Sequence, residues 1–278
     1  MVAISAEALT DGPCPRAGVT ITGLGTGDSV VTVWRTADEE RYPVRGARRI
    51  KLIDSAFITD WDAPLERLVT YEVEVLSSDT GASRTTSEPV TIPSLTGWLM
   101  DPLIPQTAVP VVGERRDDGD IYLRGNALAD LEYEADISIF KVMGSDKPMA
   151  LFGQRMAERG LDTSLGTRSA TENTRLKKLL KSTGQLLFKP LPAWGALDLP
   201  GTMFLGNAVA RQQPVNVLMG GNLTWWDMKS DVVAAPAIKV LTATFTYGDV
   251  KMMFSTYQQK QDLLAGQTYL DDLKHPIG

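Results

Sequence analysis

The sequence predicts a mainly β fold of the all-β or α+β class, with an antiparallel sandwich over residues 1–95 followed by a β-rich domain over residues 98–278. Short runs of alternating apolar and polar residues recur between turn signals in the first part, as is typical of strands in half-buried sheets. A length of 278 residues exceeds the needs of one average core. A Pro-, Ser- and Gly-containing break at 93–97 therefore marks the expected domain boundary.

The first domain is expected to be a sandwich with one solvated face on each sheet. In the stretch 71–75, Tyr71, Val73 and Val75 alternate with two glutamates, so the apolar side chains share one face. Tyr71 is therefore expected to point into the core. The candidate strands of this domain lie at 19–22, 29–35, 49–53, 70–76 and 87–92.

The second domain is expected to contain two helices among its strands. Ser169 and Glu172 fit a capping box before a helix near 171–183, and Gly184 supplies its end. A second apolar stripe at helical spacing predicts a helix near 249–265. The stripe consists of Val250, Met253, Phe254 and Tyr257. The candidate strands lie at 121–123, 133–143, 149–152, 160–168, 185–190, 203–210 and 223–233.

The composition argues against most protein-based chemistry. The chain has one histidine, His275, which receives no role, and one cysteine, Cys14, so neither an intramolecular disulfide nor a cysteine-based zinc site can form. A net charge of −6 argues against a specific nucleic-acid partner. No secretory signal and no apolar stretch of about 20 residues is present, so we expect no membrane insertion. We predict no catalytic residue, metal site or cofactor, and no enzymatic activity.

Three motifs have a chemical interpretation and a simpler structural one. The glycine-rich run 23–27 is expected to be a turn, since a strand and not a phosphate-binding helix follows it. The acidic run 117–120 fits a hairpin turn better than a cation site. Glu132 and Glu134 fall within the spacing range of a glycosidase carboxylate pair, but an alternating polar face explains them without any chemistry, as it does for Asp60 and Asp62.

The aromatic and basic residues are expected to form packing surfaces or solvated surfaces, and not ligand-binding sites. Trp225 and Trp226 are adjacent on a predicted strand and must face opposite ways, so at most one of them lines a given surface. Two basic groups are expected to be solvated surface. The first group comprises Arg45, Arg48, Arg49 and Lys51, and the second comprises Lys177, Lys178 and Lys181.

Two resemblances add to these observations. The segment 57–65 followed by 70–73 resembles the passage from strand E to strand F in fibronectin type III-like domains, where a tyrosine such as Tyr71 closes a corner. The order of elements along the chain resembles that of minor tail proteins of actinobacteriophages. These elements are the sandwich, the segment 101–103 that begins the second domain, the 171–188 helix-and-strand unit, the segment 199–201, the Trp225 strand and the 246–266 tail. The order of strands and helix also resembles the split β-barrel of tail-tube and distal-tail proteins.

The second resemblance implies a virion protein at the tail tip or baseplate, made and assembled in the host cytoplasm. Its expected partners are further copies of itself, in a trimeric or hexameric ring around the tail channel, and other tail or baseplate proteins. The alternative is an adhesion module that binds a host-surface glycan, and a carboxylate-based hydrolase is a third hypothesis. A proline-rich apolar arm, the Trp225 strand and the last helix supply the candidate interface: Trp98, Leu99, Met100, Leu103, Ile104, Trp225, Trp226, Met253, Phe254 and Tyr257.

Overall fold

A computed structural model describes residues 2–78, 81–113, 121–125, 127–128, 132–141, 143, 146–194, 199–215, 223–236 and 256–263. The described structure is mainly β, with several sheets and a seven-stranded barrel, which confirms the predicted fold class. Its described residues form two compact units. The first unit draws on 1–109, 189–202 and 236–278, and the second on 110–188 and 203–235. The predicted division at residues 95–98 stays a prediction.

The strands of the first part of the chain are β1 (Ala3–Leu9), β2 (Arg16–Thr22), β3 (Asp28–Ala37), β4 (Glu40–Pro43), β5 (Ile50–Ile53), β6 (Ala56–Asp60), β7 (Leu68–Ser77), β8 (Ser83–Thr86), β9 (Val90–Thr91), β10 (Gly97–Asp101) and β11 (Ile104–Val112). Those that follow are β12 (Ile121–Leu123), β13 (Glu132–Phe140), β14 (Met149–Arg159), β15 (Leu161–Asp162), β16 (Leu165–Thr167), β17 (Gln185–Lys189), β18 (Met203–Pro214) and β19 (Thr224–Val233). The described helices are α1 (Ala170–Ser182), α2 (Tyr257–Leu263) and a 3-10 turn, Pro192–Trp194.

Two antiparallel sheets form the predicted sandwich. One sheet has the order β1-β2-β6, and the other has the order β4-β3-β7-β8, with β5 also on β3 and β9 on β7. Strand β7 alternates as its sequence predicts, since Tyr71, Val73 and Val75 are buried between the half-buried Glu72 and Glu74. Apolar side chains from both sheets share one core. Tyr71 points inward, as predicted.

The glycine-rich run 23–27 connects β2 directly to β3. Gly23 and Gly25 have φ values of 75° and 100°, in the left-handed region that favours glycine. Because a strand follows, the run is a turn, as expected.

In the second unit the strands form a continuous sheet in the order β11-β12-β16-β19-β18-β17. The β11–β12 pair is parallel, and the remaining pairs along this path are antiparallel. Strand β15 pairs with another stretch of β19. Strands β13 and β14 form a separate two-stranded sheet, although β14 also contacts β19.

Helix α1 begins where its capping sequence predicts. The Ser169 hydroxyl accepts a hydrogen bond from the backbone N–H of Glu172 at 3.1 Å. Leu176 and Leu179 are buried, while Lys177 and Lys178 are exposed. The helix ends at Ser182, and Thr183, in extended conformation, is its C-cap in place of the predicted Gly184.

Helix α2 lies within the predicted range 249–265. Val250, Met253, Phe254 and His275, like the acidic run 117–120, lie outside the described residues.

Candidate assembly surface and buried ionic centre

The strongest cluster of charged groups lies inside the first unit. The guanidinium of Arg35 on β3 donates to both carboxylate oxygens of Asp60 on β6, at 3.0 and 2.9 Å. The hydroxyl of Tyr71 on β7 donates to the same carboxylate at 3.0 Å. Burial raises the pKa of Tyr71 well above its ordinary value, and the charge of Asp60 adds to this shift.

Asp62 extends this cluster by one ion pair. Its backbone N–H donates to Asp60 Oδ1 at 3.0 Å. Its carboxylate accepts two hydrogen bonds from Arg45, at 2.8 and 2.6 Å, and Arg45 also donates to the carbonyl of Pro102. Arg45 is therefore buried in an ion pair and is not part of a solvated basic surface, so that prediction was wrong for this residue.

A third buried cation, Lys189, completes the centre. Its side chain has no exposed surface, and its ammonium group donates to the carbonyls of Pro15 at 2.8 Å and Trp61 at 3.4 Å. Burial lowers the pKa of Lys189, while the nearby Cys14, Asp60 and Asp62 oppose that shift. Burial also raises the pKa of the Cys14 thiol, which lies 3.8 Å from the sulfur of Met100.

We call these residues the buried ionic centre: Arg35, Arg45, Asp60, Asp62, Tyr71 and Lys189. Each of them is hydrogen-bonded to another member or to a backbone carbonyl. Groups that are enclosed and satisfied in this way hold strands together, whereas a catalytic group has to reach its substrate. Because the two aspartates hold arginines in the interior, the expectation of a solvated polar face was wrong for Asp60 and Asp62.

The sequence did not reveal this centre. Arg35 and Asp60 are 25 positions apart, and Lys189 is more than a hundred positions from its partners. One local signal was available, since Lys189 follows the apolar run Leu186–Leu187–Phe188 within a strand that is buried throughout from Leu186. A lysine that continues such a run indicates a buried cation.

Of the other candidate chemical sites, the glutamate pair lies in a described strand. Glu132 and Glu134 lie in β13, where the register with β14 shifts between them. Among the described residues, no cluster of three or more histidine, cysteine, aspartate or glutamate side chains has a geometry that holds a metal ion. In the same residues, no helix is both long and apolar enough to cross a membrane.

The predicted interface residues of the apolar arm differ in how far they are buried. Leu99 and Met100 on β10 are buried within the chain, and Trp98 and Leu103 are partly buried. Ile104 is exposed. The arm thus contributes to the core of its own unit, and its role in an interface stays a prediction.

The two tryptophans of β19 lie in different environments, as their adjacent positions require. Trp226 is buried, and its indole N–H donates to Asn173 Oδ1 at 3.0 Å. Trp225 is half-buried and packs edge-on against Tyr122, with ring centroids 5.7 Å apart. The guanidinium of Arg124 lies 5.3 Å from the Trp225 ring centroid, so the ring already has packing partners. Of the remaining candidates, Tyr257 begins α2, and Met253 and Phe254 are not described.

Exposed apolar side chains of the described residues concentrate on the β13–β14 hairpin, which we call the apolar hairpin. Fourteen large apolar side chains are exposed in the described part of the chain, and six of them lie between residues 137 and 151. They are Ile137, Ile139, Phe140, Met143, Met149 and Leu151, with 46–99% of each side chain exposed. The sequence predicted strands here but no surface role, since the exposure of a strand depends on what it packs against.

Comparison of the chain with family models, with curated proteins and with solved structures gave no match.

Proposed function

We propose that this chain is a structural component of a bacteriophage tail. In this proposal it is a minor tail protein of the tail tip or baseplate, made in the host cytoplasm and incorporated into the virion. It assembles with copies of itself, as a trimer or hexamer, around the tail channel and contacts other tail proteins. Its role is mechanical and not catalytic.

The observation that carries this proposal is the apolar hairpin. The hairpin is a separate two-stranded sheet, and although β14 contacts β19, it exposes six large apolar side chains within fifteen residues. Clustered apolar surface of this kind marks interaction sites in soluble proteins. A subunit of an assembly is expected to have such a surface covered by its neighbours.

The buried ionic centre also supports a structural role, because its charged groups stabilise the fold. Its charges are directed at one another and at backbone carbonyls. They join β3, β6 and β7 of the sandwich, so they brace the unit. A chain with a braced unit and an exposed apolar ribbon suits a building block. The resemblance in element order to actinobacteriophage minor tail proteins adds the specific context.

Localisation in the virion tests this proposal. Antibodies raised against the purified chain are applied to intact virions of the phage whose genome encodes it, with immunogold detection, and the purified virions are analysed by mass spectrometry. We expect gold labels at one end of the tail and peptides of the chain in the virion. Virions that lack both the label and the peptides would overturn the proposed function.

A further inference from the structure

The exposed side of α1 carries an unbalanced positive charge. The helix contains four basic side chains and one acidic side chain, although the whole chain has a net charge of −6. Lys177, Lys178 and Lys181 are exposed, and none of them forms an ion pair or a side-chain hydrogen bond with a described residue. Because Lys181 lies one helical turn from the other two, the three like charges are neighbours and repel one another. We call these three residues the lysine face.

A cleft in the second unit continues the lysine face. Its volume is about 330 Å³, and its lining includes Lys181, Thr183, Leu186 and Asn207. Sites for small ligands have volumes of roughly 300–1,000 Å³, so this cleft has room for one compact group of a ligand. A positive surface that leads into a cleft with polar groups suits a ligand that is both anionic and rich in hydrogen-bonding groups.

One polar side chain in the lining of the cleft has no partner. The Oδ1 and Nδ2 atoms of Asn207 are buried, and neither forms a hydrogen bond with a described residue. Its backbone N–H donates to the carbonyl of Gly184 at 3.1 Å, which holds β18 against the end of α1. The register of β18 with β19 shifts between Asn207 and Val209, and such bulges redirect side chains beside functional sites. An unpaired buried amide is costly, and it gains hydrogen bonds by turning toward a ligand in the cleft.

We propose that the lysine face and the cleft bind an acidic saccharide, a carbohydrate chain whose rings carry carboxylate or sulfate groups. The lysines bind the anionic groups, and one ring enters the cleft, where the Asn207 amide turns toward its hydroxyls. Each hydroxyl both donates and accepts, so two adjacent hydroxyls pair with Oδ1 and Nδ2 together. This inference goes beyond the proposed tail function and does not rest on it.

Two other kinds of polyanion fit these residues less well. Single-stranded nucleic acid binds by stacking its bases on aromatic side chains, and the described lining of the cleft contains none. An acidic peptide supplies carboxylates to the lysines, but a carboxylate only accepts hydrogen bonds and leaves Asn207 Oδ1 unpaired. The saccharide is therefore the ligand that satisfies both the lysine face and the amide.

Isothermal titration calorimetry on the full chain at low ionic strength tests the proposal. The acidic probes are a heparin hexasaccharide and hexagalacturonic acid, and maltohexaose is the neutral probe. The double variant Lys178→Gln, Lys181→Gln removes two charges from the lysine face. Its control, Arg48→Gln with Lys51→Gln, removes two exposed charges from the first unit.

A second pair of variants tests the amide. Asn207→Leu replaces it with an apolar group of similar size, and Gln213→Leu makes the same kind of change in the same strand, outside the described lining of the cleft. Because the Asn207 amide is unpaired, we expect Asn207→Leu to leave the urea midpoint unchanged or to raise it. Circular dichroism of all four variants establishes that they fold.

The proposal predicts that wild type and both controls bind at least one acidic hexasaccharide and do not bind maltohexaose. The lysine variant and Asn207→Leu are each expected to bind that saccharide about tenfold more weakly. The lysine variant loses affinity through charge, so raising the salt concentration weakens wild type toward it.

Wild type that binds neither acidic hexasaccharide would overturn the proposal. Equal affinity for poly-L-glutamate or for a single-stranded thymidine oligonucleotide would reduce the lysine face to a nonspecific cationic surface. A lowered urea midpoint in Asn207→Leu would mean that the amide supports the fold, and unchanged affinity in that variant would remove the cleft from the site. In each of these cases immunogold labelling of virions still decides the tail function independently.

Discussion

The buried ionic centre and the apolar hairpin reverse the usual distribution of polar and apolar residues. The first places three cations and two carboxylates in the interior of the sandwich unit. The second places six large apolar side chains on the surface. Each charged group of the buried ionic centre has a hydrogen-bond partner within the chain, whereas the six apolar side chains of the hairpin are exposed in the described structure. The first arrangement stabilises the fold of one subunit, and in the proposed assembly the second is covered by contact between subunits.

The largest expected loss of stability comes from breaking the buried ionic centre. In Asp60→Ala, the Arg35 guanidinium and the Tyr71 hydroxyl both lose their carboxylate partner. An uncompensated buried charge typically costs about 3–5 kcal/mol, and we expect the free energy of unfolding to fall by that amount. Urea denaturation measures it. The control Asp28→Ala, which removes an exposed pair with Lys51 at 3.9 Å, is expected to cost less than about 1 kcal/mol.

A smaller loss is expected when one hydrogen bond of the centre is removed. Tyr71→Phe deletes the 3.0 Å bond to Asp60, but Arg35 and the Asp62 N–H still satisfy that carboxylate. We expect a loss of about 1.5–3 kcal/mol, the range for hydrogen bonds to charged groups. Tyr42→Phe removes an exposed hydroxyl and serves as the control in the same urea titration. Equal effects of the two substitutions would contradict the structural role of Tyr71.

These two effects also show how far sequence reasoning extends. The alternation in 71–75 was sufficient to place Tyr71 in the core, and the Ser169 motif was sufficient to begin α1, since both depend on neighbours in the chain. The ionic centre depends on long-range pairs such as Arg35 with Asp60, which no local period encodes. The hairpin strands were predictable for the same local reason. Their exposure was not, because it depends on what packs against the faces of the hairpin, which no local period encodes.

The next prediction concerns how the free energy of unfolding depends on pH through Lys189. Because burial lowers the pKa of Lys189, the folded state releases this proton at a lower pH than the unfolded state, whose lysine titrates near its ordinary value of 10.5. Between the two pKa values the unfolded state binds more protons, so the Lys189 contribution to stability rises with pH. We expect the unfolding free energy of wild type, relative to Lys189→Met, to increase as pH is raised toward 10.5.

Urea titrations of both proteins at several pH values from neutral upward measure this difference. Because Lys189 also acts on the pKa of the Cys14 thiol, both proteins carry Cys14→Ala in this comparison, and Tyr71 is common to both. A difference that stays constant with pH, or that falls, would contradict a lowered Lys189 pKa.

The smallest effect on stability is expected in the apolar hairpin. The double substitution Ile139→Ser with Leu151→Ser changes one exposed residue on each face. Surface substitutions usually change stability by less than about 0.5 kcal/mol, and we expect the same urea midpoint as wild type for the dilute protein. A loss comparable to that of Asp60→Ala would mean that these side chains support the fold of their own chain.

Negative-stain electron microscopy of the purified full-length chain at increasing concentration tests assembly through the apolar hairpin most directly. The Ile139→Ser, Leu151→Ser variant is imaged at the same concentrations. Assembly through the apolar hairpin predicts annular wild-type particles with threefold or sixfold averages, and single subunits for the variant at the same concentrations. Wild-type particles that remain single subunits throughout, or variant particles that form the same rings, would contradict assembly through the apolar hairpin.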